Sequence, residues 1–341
     1  MRTETIYALD FSHWKRKPLR LCFPGLQTVF VSRLDEVPDG ATLAVWGMRA
    51  LPNVAARGIE VVRVEDGFLR SVGLGADLIR PVSWVVDRRG MYFDATHPSD
   101  LEVLLAETEF SGELLARAAA LRARIVEAGL TKYNVGAGLW HRPRHDRRVI
   151  LVPGQVESDA SLAYGAPDVK TNLGLLQAVR AANPDAHVIY KPHPDVVAGM
   201  RAKGASEESA GLWCDEIVVD VSMGELLPQV DEVHGMTSLA GFEALLRGKK
   251  VTCYGQPFYA GWGLTTDVVP IDKRTRRLSL DELVAGALVL YPRYMGGKRD
   301  ALISPEEALE DLVEWRARSG QVAPWWRKMF RIALRQVVGV R

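Results

Sequence analysis

Two pairs of acidic residues follow apolar runs of the sequence, at the points where strands are predicted to end. Glu65 and Asp66 stand in VEDGFLRS (residues 64–71), directly after the apolar run GIEVVRV. Glu157 and Asp159 stand in VILVPGQVESDASLAYG, after a second apolar run. Side chains that follow the carboxyl end of a strand lie at the ligand-binding edge of an open α/β sheet. These carboxylates are therefore candidate catalytic groups, although Glu65 and Asp66 could be solvated acids of a turn and Asp159 could cap a short helix.

Basic and hydroxyl side chains follow two further apolar runs. Lys191 and His193 stand in VIYKPHPDVVAG, where prolines on both sides of the histidine restrict the direction of its ring. A lysine and a histidine held rigidly at a sheet edge suit an anionic ligand. Thr237 and Ser238 fall at a predicted helix N-terminus, which suits a phosphate but is also an ordinary helix cap. Glu243 on the same helix could reach ribose hydroxyls or could be a surface acid.

The elements that must position these residues alternate between strand and helix. Because the chain has 341 residues, two domains of about 150 residues each are expected. The short apolar runs predict mostly parallel sheets covered by helices, and the basic stretch 141–148 is the predicted linker. The fold class is therefore α/β, with two Rossmann-like, doubly wound domains that face a cleft. The predicted limits are 1–145, 146–300 and a C-terminal segment 301–341.

Local signals mark several helix ends. Ser99 is a candidate N-cap, Gly129 a candidate residue just beyond a helix, and Ser304 with Glu307 a capping box. Sugar-nucleotide glycosyltransferases, periplasmic-binding-like proteins, dehydrogenases and epimerases all use two such domains. The sequence has no GxGxxG after a strand and no GxxxxGK[ST], so dinucleotide-binding and P-loop proteins are disfavoured.

Composition excludes several broad classes. The formal net charge is +1, so bulk charge does not predict a nucleic-acid-binding protein. The three cysteines are scattered without CxxC spacing, which argues against a disulfide framework or a zinc site. Neither a signal peptide nor an apolar run long enough to cross a membrane is present. We expect a cytoplasmic protein that needs no metal or other cofactor.

The motifs resemble those of a known enzyme group. EDG at 65–67, HP at 193–194 and TS at 237–238 are similar, in that order, to the signature motifs of bacterial CMP-sugar-dependent GT-B enzymes, which include sialyltransferases and Kdo transferases. The longer strings RVEDGFLRSVGLGADL, PGQVESDASLAYGAPDVKTN and YKPHPDVVAGMR resemble the KpsC-type capsule β-Kdo transferases. The resemblance runs from about residue 44 to about residue 294. Members of that family usually carry two modules in tandem, and this chain resembles one of them, more closely the C-terminal module.

The resemblance implies a GT-B fold, CMP-β-Kdo as the donor and retention of the β configuration. It implies that Asp159 is the nucleophile and Glu65 the acid/base. It also implies that His193 faces the donor phosphate, while Thr237 and Ser238 hold the CMP phosphate. This agrees with the chemistry, because the anomeric carbon of Kdo passes through an oxocarbenium-like transition state that a carboxylate can trap.

Five further residues are expected on the donor side. Lys191 is expected to assist at the phosphate, and Gln155 and Pro194 stand inside the matched motifs. Glu243 is expected near the ribose, and Arg70 is predicted from its position to bind the Kdo carboxylate. Two other functions stay open: an inverting sialyl-type transferase in which EDG supplies the base, and a non-catalytic capsule export or scaffold protein.

The C-terminal stretch APWWRKMFRIALRQVVGVR alternates apolar and basic residues at near-helical spacing. This pattern predicts an amphipathic helix that lies on the cytoplasmic face of the inner membrane, with indoles at the headgroup level. A Kdo-terminated glycolipid acceptor would explain such contact. The alternative is a helix packed back on the first domain.

Overall fold

The computed structural model of the chain describes residues 4–71, 81–132, 134, 136, 138–296 and 301–319. The strands in these ranges are β1 (Thr5–Leu9), β2 (Gln27–Val31), β3 (Thr42–Trp46), β4 (Glu60–Asp66), β5 (Ser83–Asp87), β6 (Val149–Pro153), β7 (His187–Lys191), β8 (Glu216–Ile217), β9 (Glu232–Gly235), β10 (Lys250–Cys253), β11 (Thr266–Asp267), β12 (Pro292–Met295) and β13 (Leu302–Ile303). The α-helices are α1 (His13–Cys22), α2 (Asp100–Glu107), α3 (Gly112–Glu127), α4 (Ala160–Gly165), α5 (Asn172–Ala182), α6 (Pro194–Val197), α7 (Met223–Leu226), α8 (Leu239–Leu246), α9 (Leu280–Val284) and α10 (Pro305–Ser319). Shorter 3-10 turns lie at Leu34–Glu36, Glu207–Leu212 and Leu227–Gln229, and a π-helix follows α9 at Ala285–Leu290.

The second sheet is parallel throughout and has the order β8-β7-β6-β9-β10-β11. Ile150 and Val152 pack in the cluster that contains α5 residues, whereas Leu151 faces the cluster of α7 and α8. A strand covered on both faces must be apolar on both faces, which explains the continuous apolar run of β6. The chain winds outward from β6 in one direction and from β9 in the other, so the predicted doubly wound sheet is confirmed here.

The first sheet is mixed and has the order β13-β12-β5-β4-β3-β1-β2. Strands β2, β1, β3 and β4 are parallel to one another, but β5 is antiparallel to β4, β12 to β5, and β13 to β12. The chain winds outward from β1, to β2 on one side and to β3 and β4 on the other, as in the predicted doubly wound sheet, but the antiparallel strands beyond β4 were not predicted. An apolar run reveals a buried strand but not its direction, and no regular helix separates β3 from β4.

The last strands of the first sheet come from late in the chain. The helix α9 and the following π-helix pack against α3, and the π-helix also packs against α2. This packing places β12 next to β5, with which it forms an antiparallel pair. Residues 292–296 therefore belong to the first sheet, which corrects the predicted limit of the second domain at residue 300. The helix α10 joins the same unit, since Arg117 on α3 forms an ion pair with Glu306 at 2.8 Å.

The predicted helix ends are confirmed. The Ser99 hydroxyl accepts a hydrogen bond from the Glu102 amide at 3.1 Å. Gly129 takes the left-handed conformation (φ +58°) just beyond α3, where glycine is favoured. The Glu307 amide donates to the Ser304 hydroxyl at 3.2 Å, and the Ser304 amide donates to the Glu307 carboxylate at 2.9 Å. Cap chemistry is local, so the sequence alone reveals it.

Two buried contacts join the units. The Phe68 ring after β4 stacks on the Phe258 ring at 4.5 Å between centroids. Arg274 forms an ion pair with Glu102 on α2 at 2.9 Å, and its side chain is 2% exposed. A single apolar cluster therefore runs from the first sheet into the second.

Candidate active site

At the centre of the second sheet, two hydrogen bonds join two of the predicted donor-side residues. The strands β6 and β9 are neighbours where the winding direction reverses, and ligands of open α/β sheets bind in the crevice outside that point. Gln155 follows β6 and Thr237 follows β9. The Gln155 amide nitrogen donates to the Thr237 hydroxyl at 2.9 Å, and the Thr237 backbone amide donates to the Gln155 amide oxygen at 3.0 Å. The structure thus brings these two residues together.

Gly154 allows the loop that follows β7 to approach the crevice beyond β6 and β9. A Cβ atom at that position would lie 2.7 Å from the Tyr190 hydroxyl and 3.2 Å from the backbone nitrogen of His193. Only glycine leaves room for the loop of His193 to reach the switch point.

His193 caps α6 and is electrically neutral at neutral pH. Its Nδ1 accepts a hydrogen bond from the Asp195 amide at 3.2 Å, so the ring proton lies on Nε2. Burial, followed by the charge of Lys132, lowers the pKa of His193 to about 4, although Asp159 opposes this shift. His193 therefore meets a phosphate as a neutral N–H donor. Pro194 is the first residue of α6, where its missing N–H costs nothing.

Lys191 ends β7 with a buried side chain. Its ammonium donates to the Val219 carbonyl at 3.2 Å. Burial lowers the pKa of Lys191, and the charge of Asp220 opposes the shift. The amine is thus held against the loop that follows β8, yet its charge still lowers the pKa of His193.

Asp159 is a helix cap, as the simpler interpretation of its sequence suggested. Its Oδ1 accepts a hydrogen bond from the Ser161 amide at 2.9 Å at the start of α4. Its Oδ2 accepts no hydrogen bond from the residues that the structure describes, so one carboxylate oxygen is left for another role. The neighbouring acid Glu157 is structural, because its two oxygens accept from the amides of Asn172 (2.8 Å) and Ala205 (2.9 Å).

Glu65 and Asp66 end β4 at the edge of the first sheet. The Asp66 amide donates to the Glu65 carboxylate at 3.0 Å. Burial and then the charge of Asp66 raise the pKa of Glu65 to about 7, against the lowering effect of Lys132 and Lys15. A carboxyl group that titrates near neutral pH can both give and take a proton.

Asp66 shapes the turn that follows the strand. Its carboxylate pairs with the Nε of Arg70 at 2.6 Å, and both side chains are largely buried. The Arg70 Nη1 also donates to the Ser71 hydroxyl at 3.0 Å. The guanidinium predicted to bind the Kdo carboxylate is therefore engaged within its own loop.

The acids of the two units act on a common neighbour. Burial raises the pKa of the Tyr92 phenol, and the charges of Glu65, Asp66 and Asp159 raise it further. The backbone amide of Ala95, three residues on, donates to the carbonyl of Tyr164 in α4 at 3.2 Å. The charges of Glu65 and Asp159, which are 94 positions apart in the sequence, therefore both act on one buried tyrosine.

Lys132 is a site residue that the sequence reasoning missed. It lies on the connection that follows α3, where TKYN shows no strand, cap or glycine signal. Its amide donates to the Glu243 carboxylate at 2.6 Å, and its carbonyl accepts from the Ser71 amide at 3.2 Å. The charge of its side chain lowers the pKa of both Glu65 and His193, so the ammonium lies within range of both units.

The remaining predicted residues lie on α8. Ser238 is its N-cap and accepts a hydrogen bond from the Ala240 amide at 3.2 Å. The Tyr259 hydroxyl donates to the Ser238 carbonyl at 2.5 Å. Glu243 is buried, and burial raises its pKa to about 7 against the lowering effect of the bond from Lys132. Glu243 was predicted to lie near a ribose. One of its carboxylate oxygens instead accepts the hydrogen bond from Lys132, on the connection between the two units.

A family model for capsule polysaccharide biosynthesis proteins matches residues 46–145 and 137–294 of the chain. The chain belongs to this family.

Curated relatives in the family are longer than this chain. The capsule polysaccharide modification protein LipA of Neisseria meningitidis serogroup A is 44% identical over 318 residues, which are 90% of this chain but 45% of LipA. The lipopolysaccharide-processing protein LpsZ of Rhizobium meliloti is 47% identical over 318 residues, 88% of this chain and 72% of LpsZ. The chain thus spans a little under half the length of LipA.

Two solved structures share the fold over nearly their whole length. The KpsC β-Kdo 2,7 transferase of Thermosulfurimonas dismutans is 43% identical, with a TM-score of 0.74 over 91% of this chain and 99% of that one. The KpsC β-Kdo 2,4 transferase of the same organism is 32% identical, with a TM-score of 0.79 over 92% and 99%. This capsule polysaccharide protein is therefore related to the KpsC Kdo transferases in both sequence and fold.

The described residues contain neither a membrane-spanning helix nor a cluster of metal ligands. No helix in the described ranges combines the length and apolar character needed to cross a bilayer. Among the same residues, no three His, Cys, Asp or Glu side chains gather as metal ligands would. Transfer without a metal stays a prediction.

Proposed function

We propose that this family member is a retaining glycosyltransferase of the GT-B type. It moves Kdo from CMP-β-Kdo to a Kdo-bearing, lipid-linked acceptor during capsule assembly. The observation that carries the proposal is that the charges of Glu65 and Asp159, from the two units, both act on the buried Tyr92 phenol, while His193 and Thr237 follow strands at the centre of the second sheet. The relationship to the two KpsC transferases supports Kdo as the sugar.

In the first step, a carboxylate oxygen of Asp159 attacks the anomeric carbon of the donor. The bond from that carbon to the phosphate oxygen breaks, and CMP leaves with the electron pair. The Nε2–H of neutral His193, together with donors at the start of α8, stabilises the charge that develops on the phosphate. The product of this step is a Kdo ester of Asp159.

In the second step, Glu65 takes the proton of an acceptor hydroxyl, and the hydroxyl oxygen attacks the same anomeric carbon. The ester bond to Asp159 breaks, and the carboxylate is restored. Two inversions give net retention. A pKa near 7 suits Glu65 to this role, because it can accept a proton at neutral pH and return it afterwards.

Asp159→Ala is expected to abolish CMP release from CMP-β-Kdo in the presence of a soluble Kdo glycoside. Incubation of the wild type with donor alone should add one Kdo mass to the peptide that contains Asp159, read by mass spectrometry. Asp168→Asn is the matched control, since Asp168 is exposed in the loop after α4 and should leave both results intact. An active Asp159→Ala variant would show that the mechanism is wrong.

The cap that Asp159 forms on α4 favours a second candidate, an inverting CMP-sugar transferase in which Glu65 is the base and Asp159 is structural. That enzyme forms no ester. Loss of activity in Asp159→Ala together with loss of the folded state, and no adduct in the wild type, would select the inverting reaction.

A further inference from the structure

Three neighbouring strands of the first sheet end at the same edge as Glu65. The strands β4, β3 and β1 lie side by side and parallel, so their carboxyl ends meet. Glu65 stands near the end of β4, and Trp46 ends β3. The helix α1 starts four residues after β1 and brings Trp14 and Lys15 to this edge in its first turn. Carboxyl ends of parallel strands are where α/β sheets bind ligands.

The Lys15 ammonium rests on aromatic rings and not on a carboxylate. Its Nζ lies 3.1 Å from the centre of the Trp46 ring and 5.3 Å from the centre of the Trp14 ring. It makes no hydrogen bond or ion pair with any described side chain, although the charges of Glu65 and Asp66 act on it. Among the described residues the ammonium thus meets only aromatic rings, and a partly buried cation with three N–H groups can still donate to a ligand.

The rest of the first turn of α1 also suits an anionic sugar. The turn contains no acidic residue, and the Ser12 side chain does not cap the helix. Trp14 is 37% exposed, which is unusual for a tryptophan, and its indole offers an apolar face to the C–H side of a sugar ring. The charge of Arg70, in the turn after β4, is the other cation that acts on Lys15.

We propose that Lys15 and Trp14 form an acceptor subsite for a carboxylate-bearing sugar, with Lys15 binding the carboxylate and Trp14 packing on the ring. The inference rests on the proposed function, which supplies a Kdo-bearing acceptor. It places the acceptor on the first-sheet edge next to Glu65, the group that takes the proton from its hydroxyl. The donor is held by the opposite edge.

Binding of a soluble alkyl glycoside of Kdo, measured by titration calorimetry, tests the subsite without requiring turnover. Lys15→Met should raise the Kd by about tenfold or more, because a charge-assisted hydrogen bond to the carboxylate is lost. Lys15→Arg should stay within about threefold of the wild type, because the charge is kept. Lys17→Met is the matched control, since Lys17 is exposed on the same helix. Trp14→Ala should also weaken binding.

The methyl ester of the same glycoside separates a carboxylate contact from a structural effect. The ester should bind the wild type as weakly as the acid binds Lys15→Met, and it should bind Lys15→Met with no further loss. Additive losses would mean that another residue meets the carboxylate, and an unchanged Kd in Lys15→Met would likewise overturn the subsite.

Binding of CMP distinguishes an acceptor role of Lys15 from a donor role. CMP binding to Lys15→Met should match that of the wild type, and a parallel loss of CMP affinity would assign Lys15 to the donor instead. If the wild type binds the glycoside through Lys15 but never releases CMP from CMP-β-Kdo, the proposed function fails and the subsite stands.

Discussion

At the end of β4, the pKa of Glu65 stands near 7 because burial and the adjacent Asp66 charge outweigh two nearby lysines. The effective base is the ionised form, whose share grows as the pH rises through that value. The same residue in an exposed turn would be fully ionised at neutral pH and would be a weaker base. Its position at a buried strand end therefore decides its chemistry.

The rate of transfer to a soluble acceptor should rise with pH and be half-maximal near pH 7. Glu65→Gln should lower kcat/KM by about 10²- to 10⁴-fold and flatten this rise, while the Kdo ester of Asp159 still forms. The measurement is kcat/KM from pH 5 to 9 for both proteins. Glu60→Gln, at the exposed start of the same strand, should behave as the wild type does. A Glu65→Gln variant with an unchanged pH profile would exclude Glu65 as the base.

At the scale of the elements, three predicted site residues are also helix caps. Asp159, His193 and Ser238 each accept a hydrogen bond at the N-terminus of a helix that follows a strand of the second sheet. A cap position of a βα unit lies at the carboxyl end of its strand, which is also the ligand edge. The structural and functional interpretations of these residues are therefore compatible, and local sequence could not choose between them.

The helix α8 holds the connection between the units through Glu243. The pKa of Glu243 is raised from 4.5 to about 7, so the folded state retains a proton that the unfolded state has released between those pH values. Its contribution to stability is present below about pH 4.5 and is lost as the pH rises through 7.

Glu243→Gln should keep the hydrogen bond from the Lys132 amide but lose this pH dependence. The wild type should lose stability between pH 5 and pH 8, and the variant should not. The free energy of unfolding of the variant minus that of the wild type should therefore be larger at pH 8 than at pH 5, by on the order of 2 kcal/mol. Urea unfolding at the two pH values measures the difference. Glu113→Gln, exposed on α3, should show none. An equal effect of Glu243→Gln at both pH values would contradict the burial argument.

At the scale of the whole molecule, the chain crosses between its two sheets twice. It leaves the first sheet after α3 and returns through α9 and the π-helix to add β12. The helix α10 then ends beside the first crossing, where the Arg316 Nη1 donates to the Gly129 carbonyl at 3.3 Å. The predicted basic amphipathic segment, residues 323–341, lies outside the described residues, so membrane contact stays a prediction.

Deletion of the residues after Ala323 should reduce pelleting with anionic phospholipid vesicles and leave activity on a soluble acceptor intact. The removed segment carries Trp325 and Trp326 together with a series of arginines, which suit the headgroup region. Sedimentation with vesicles, at low and high salt, measures the binding. Pelleting that does not change on deletion would favour the alternative, in which the segment packs on the protein.

The sequence by itself determined the features that depend on local chemistry. The ends of helices at Ser99 and Gly129, the continuous apolar strands of the second sheet, and the motif residues at their carboxyl ends were all predicted. Cap preferences and strand burial act over a few residues, so they can be read without knowing the partners in space.

Only the tertiary structure decided the direction of β5, the return of β12 to the first sheet, and the neutral state of His193. It also placed Lys132 and Lys15 within range of Glu65. Strand pairing joins segments that are distant in sequence, and a pKa depends on burial and on charges that other segments contribute. Both are set only when distant segments meet in the folded chain, because no local pattern encodes which distant groups will become neighbours.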